Sequence, residues 1–93
     1  MRVDFDKEVG FEGALLIGWA NVSNRRIRCL AGRETINELP DFTHSSAAEI
    51  RNRKHEVFEQ LKPAFVGKIE RGELDRSNIP SVTVYLQDLS ALR

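Results

Sequence analysis

The sequence predicts an α+β fold: a three- to four-stranded, mostly antiparallel sheet packed on one long, kinked helix, in the order β-β-β-α-β, with a short helical turn before the long helix. Three observations carry this expectation. Apolar residues alternate with period two before Gly32 and again after Pro80. Between Ser46 and Gly72 they recur instead with the ~3.6-residue period of a helix. Asn, Ser, Gly and Pro fall where one pattern gives way to the other. The 93 residues make one compact domain, 1–93, with a single core.

Val3 and Phe5 alternate with Arg2, Asp4 and Asp6, as in an edge strand with a charged outer side. Gly13 to Ala20 places Leu15, Ile17 and Trp19 on one face and Ala14, Leu16, Gly18 and Ala20 on the other. Asn21 to Asn24 (NVSN) tolerates turn geometry and closes a hairpin onto a strand from Arg25 to Ala31. Glu34, Ile36 and Leu39 suit a helical turn that Pro40 ends, and PDFTHSS is read as a loop. Ser46 with Glu49 matches a capping box ahead of the helical stripe Ala47, Ile50, Val57, Leu61, Ala64, Phe65 and Ile69. Pro63 lies opposite that stripe, where it removes a donor and crowds the Glu59 carbonyl; a kink, or a break near Lys62, is expected. Gly72 ends the helix, and PSVTVYLQDL forms the last strand, with Val82, Val84 and Leu86 inward and Thr83, Tyr85 and Gln87 outward.

Composition narrows the function classes. Hydrophobic residues make up 41% and charged residues 30%, and 14 basic side chains balance 14 acidic ones, so no global field draws nucleic acid or an anionic membrane. The longest apolar run, Ala14 to Ile17, is far shorter than a membrane span, and Met1, Arg2, Val3 and Asp4 do not begin a signal peptide. A soluble, cytoplasmic protein is expected. One cysteine forms no internal disulfide, in keeping with a reducing compartment.

The chain resembles a small bacterial domain-of-unknown-function family, number 1488. The likeness runs through RRIRCLAGRETI, KIERG at Lys68 to Gly72, and the closing VTVYLQDL, and spans about Ala14 to Leu89. The resemblance implies a compact α+β domain of Gram-negative bacteria with no established activity, ligand or partner, and hence no functional residues to carry over. At Pro63 the chain departs from the family's plain amphipathic helix.

Four constellations invite chemistry. Cys29 sits among arginines that would activate a thiolate. Strand alternation, however, groups it with Ile27 and Ala31 and turns Arg26 and Arg28 the other way, so it reads as a core residue. His55 and Glu59 share a helical side and Asp41 or His44 lies upstream, but a third metal ligand is lacking by spacing, and no metal or other cofactor is implied. Ser46 is accounted for by capping, and GKIERGE lacks the strand and helix start of a phosphate loop. The basic clusters around Arg26 and Arg28, and at Arg51 to Lys54, are offset by Glu49, Glu56 and Glu59.

One layer of helix covers only one side of a sheet, which leaves Leu16, Leu30 and Tyr85, with Trp19, as candidates for an uncovered apolar face. The alternative is that the N-terminal segment and the short helix cover it. The expected function is therefore a non-catalytic module that binds a protein partner or itself, as a homodimer, through Arg26, Arg28, Leu16, Leu30 and Tyr85. A weak nucleic-acid binder using the arginines is the alternative, and a thiol-dependent enzyme ranks last.

Overall fold

The structure, a computed structural model, describes residues 2–90. It is an α+β fold with a mixed five-stranded sheet: β1 (Asp4–Phe5), β2 (Gly10–Glu12), β3 (Leu15–Val22), β4 (Arg25–Gly32) and β5 (Ser81–Val84). β1 and β2 both pair antiparallel with β3, at its two ends, so together they form one edge of the sheet. β3 and β4 form the expected hairpin, with Ser23 and Asn24 both at positive φ in its two-residue turn.

Between β4 and β5 lie the helices α1 (Arg33–Ile36), α2 (Ala47–Asn52) and α3 (Lys54–Glu70), with a 3-10 turn at Pro40–Phe42. Because the chain crosses over through them, β5 returns parallel to β4, pairing Cys29 with Val82 and Ala31 with Val84. The helices place Ile36, Phe42, Ile50, Val57, Leu61 and Phe65 against Leu16, Ala20, Ile27, Cys29, Ala31, Val82 and Val84 in one core. Phe58 packs at its centre, edge-on to Phe5 at 5.4 Å and beside Phe65 at 5.6 Å.

The punctuation of the helices follows the sequence at both ends. Ser46 caps α2 with a complete capping box to Glu49. Gly72, at φ +72°, closes α3 with the Gly72 N–H on the Ile69 carbonyl and the Glu73 N–H on the Lys68 carbonyl, a Schellman motif. In between, the helical stretch divides at Arg53 (φ −115°, ψ 25°) and not near Lys62, and α3 runs on through the exposed Pro63.

Three expectations need correction. β2 is an additional strand, too short to show a period. The segment read as the end of the last strand leaves the sheet after Val84 and forms α4 (Leu86–Ser90), so Leu86 is 43% exposed and not inward. The Tyr85 N–H donates to the Asp88 carboxylate at 2.7 Å, the bond that starts a helix where alternation alone suggests a strand. Third, Leu16 is fully buried under the helices and does not belong to the uncovered face. It pairs with Ala31, whereas Leu30 pairs with Ile17; alternation puts the two leucines on opposite sides of the sheet.

Candidate functional site

All four helices pack on the Leu16 side, where every buried core residue of the sheet also points. Among the described residues the other side carries no helix. β1 and β2 widen the sheet and do not fold over it, and the segment 75–80 covers it only at Ser81, which is buried. Antiparallel and parallel registers together define its rows: Glu12, Leu15 and Gly32; then Gly10, Ile17, Leu30 and Thr83; then Trp19, Arg28 and Ser81; then Asp4, Asn21 and Arg26. Tyr85 follows β5 at the level of Gly32 and is 48% exposed, while Leu15, Ile17, Trp19 and Leu30 are half-buried.

Of the residues singled out in the sequence, Arg26, Arg28, Leu30 and Tyr85 thus lie on this face, and Ile17 and Leu15 join them. The signal for those two was present, since the same alternation that buries Leu16 and Ala20 exposes Leu15 and Ile17. Gly10 lacks a side chain, and a hollow of about 280 Å3 opens over it between Glu8, Glu12, Ile17 and Trp19. A second hollow, of about 400 Å3, lies diagonally across, lined by Leu15, Gly32, Thr83 and Tyr85.

Acids lie at both sides of the face, and beside β5 the Asp75 carboxylate accepts from the Thr83 hydroxyl at 2.6 Å. Asp4, Asp6, Glu8 and Glu12 line the β1/β2 side. Arg26 reaches across β3 to Asp6 at 2.9 Å, with Asn21 on the other Asp6 oxygen at 2.7 Å, and stacks 4.3 Å from the Trp19 ring centroid. The indole is therefore held in place by its neighbours. Arg28 donates to the Ser81 hydroxyl at 3.2 Å and, among the described residues, has no carboxylate partner; Glu8 and Glu12 have no cationic one. The arginines brought together by sequence are separated by function: Arg26 is neutralised within the chain and Arg28 is not.

Both edges of the sheet are closed to strand addition. Along β5, the Asp75 N–H occupies the Ser81 carbonyl at 2.8 Å and Lys68 Nζ occupies the Thr83 carbonyl at 2.7 Å. The opposite edge is split into two strands of two and three residues that carry acidic side chains.

The remaining constellations do not assemble a site. Cys29 is completely buried, and desolvation pushes its thiol up to about 12, the reverse of an activated nucleophile. Among the described residues no three His, Cys, Asp or Glu side chains come together as metal ligands; Asp41 instead accepts from Gln60. Of the second basic cluster, Arg53 pairs with Glu56 and stacks 4.4 Å from the Phe42 ring, and Arg51 donates to the Phe11 carbonyl. No helix is long and apolar enough to cross a membrane among the described residues. Comparison with protein-family models, with curated proteins and with solved structures finds no match to this chain.

Proposed function

We propose that this protein is a soluble, cytoplasmic, non-catalytic module that binds protein through the uncovered face of its sheet. The observation that carries this reading is the row of Ile17 and Leu30, flanked by Leu15 and Trp19, on a sheet whose helices all lie on the other side. Apolar side chains aligned across two central strands, with a fixed tryptophan and a rim of charge, have the makeup of a contact surface. The blocked edges favour face-to-face contact over strand addition.

The nucleic-acid reading is weaker on the same face. Arg26 is ion-paired to Asp6, Arg25 points to the helix side beside Ile69, and four acids line one edge, leaving Arg28 as the cation without a carboxylate. One such charge gives little phosphate affinity.

A photo-crosslinking residue placed at Leu30, with one at Glu59 on the exposed side of α3 as control, tests the proposal in living cells. A protein adduct at residue 30 that is absent at residue 59 is the expected result. No adduct at residue 30, or equal adducts at both positions, would overturn it.

A further inference from the structure

We infer that the occupant of this face is a second copy of the chain, docked about a twofold axis that runs parallel to the strands between β3 and β4. The inference rests on the docking reading above and adds the partner and its geometry.

When two sheets stack with their strands roughly aligned, a twofold axis in the interface runs close to the strand direction or close to perpendicular to it, and the acids of the β1/β2 side separate the two. An axis across the strands turns the β1/β2 edge onto the partner's own β1/β2 edge. Asp4, Glu8 and Glu12 would then meet the same acids, with the Leu15 end set against the polar Asn21 and Arg26 end. An axis along the strands instead lays each row over itself in reverse order, so that the β1/β2 edge covers the partner's β5.

Three of the four rows then meet a complement. Leu15 lies over Gly32, a large side chain over a gap; Ile17 lies over Leu30, apolar on apolar; Trp19 lies over Arg28, an aromatic ring over the cation that has no carboxylate of its own. At the rim Glu12 comes over Tyr85, the exposed end of the same row. Each pairing occurs twice by symmetry, so one sequence satisfies both sides.

The size of the face sets the strength. At about 3.3 Å per residue and about 4.8 Å per strand, its strands cover roughly 400 Å2 per copy, or about 800 Å2 in all, the size of a weak, transient contact. A weak, reversible dimer is the consequence.

Sedimentation equilibrium of the purified chain over a wide concentration range, with Leu30→Glu and, as a second variant at the rim, Tyr85→Ala, tests the inference. The expected result is a reversible monomer–dimer equilibrium, weakened by about thirtyfold or more in Leu30→Glu, and weakened also in Tyr85→Ala, with circular dichroism and melting unchanged. A monomer at all concentrations, or a dimer indifferent to both substitutions, would overturn it. The adduct at residue 30 separates the two levels: self-adducts support a second copy, adducts only with another protein overturn this inference while the docking reading stands, and no adduct ends both.

Discussion

The ring of Phe58 lies against Gly18 so closely that a Cβ on residue 18 would sit 2.6 Å from Phe58 Cζ. The contact lies on the face of the hairpin that takes the helices, where Gly18 pairs with the buried Cys29. Phe58 is buried and held by Phe5 and Phe65, so the ring has no room to withdraw. Gly18→Ala should therefore destabilise the fold by about 1–3 kcal/mol, the usual cost of overpacking a core. Urea denaturation measures it, and an unchanged midpoint would show that the core yields more than this packing allows.

Cys29 gives a second expectation. Its thiol is buried beneath the helices and pushed by desolvation from an ordinary value of 9.0 up to about 12. A raised acid holds its proton in the folded state, so its contribution is fully present below pH 9 and is lost as pH rises from there toward 12. The wild type should lose stability over that alkaline window more steeply than Cys29→Ala. A maleimide reagent near neutral pH should label Cys29 only after unfolding. Equal labelling of the native protein would contradict the buried placement.

Lys68 and Asp88 fasten α4 to α3. Lys68 Nζ bridges the Thr83 carbonyl and the Asp88 carboxylate, at 2.7 and 3.0 Å, and both side chains are largely buried. Burial alone would push the Asp88 carboxyl up, but the Tyr85 N–H and the Lys68 ammonium hold it below the ordinary carboxylate value. A depressed acid contributes stability above its ordinary value and loses it as pH falls through the lowered one. Acid should thus release α4 before the core opens, and Asp88→Asn should do so at neutral pH. Faster amide exchange confined to Tyr85 through Ser90 is the expected signature; uniform exchange would contradict it.

Pro63 sits on the exposed side of an otherwise regular α3, where it leaves the Glu59 carbonyl without its helical donor. Pro63→Ala should raise stability, by about 1–3 kcal/mol. A destabilised variant in thermal melts would mean that the proline bends α3 to fit the sheet.

These residues also show what the sequence could and could not disclose. The separation of Cys29 from Arg26 and Arg28 follows from a period of two, and the ends of the helical region follow from Ser46 with Glu49 and from Gly72, because each is a local rule. The choice of face for Leu16 is not local. Both sides of β3 are apolar, and its register with β4, which sets Leu16 opposite Ala31, together with the fit of Phe58 into the gap at Gly18, places Leu16 inward. Likewise VTVYLQDL alternates well enough for a strand, but Asp88 caps a helix there and bonds to Lys68, twenty residues away in sequence. At Arg53 the helical region divides where no proline or glycine marks the point. The uncovered face was legible as a class of surface, through Leu30, Tyr85 and Trp19, while its rows required the register.

Trp19, the only tryptophan in the chain, stands in the middle of the proposed contact and reports on it directly. Iodide quenching of its fluorescence, followed as the protein is diluted, tests the central claim. Quenching should be weak in concentrated protein and rise on dilution along the same curve as dimer dissociation, and in Leu30→Glu that curve should shift to concentrations about thirtyfold higher or more. Quenching that is independent of concentration and equal in the variant would show that nothing covers this face.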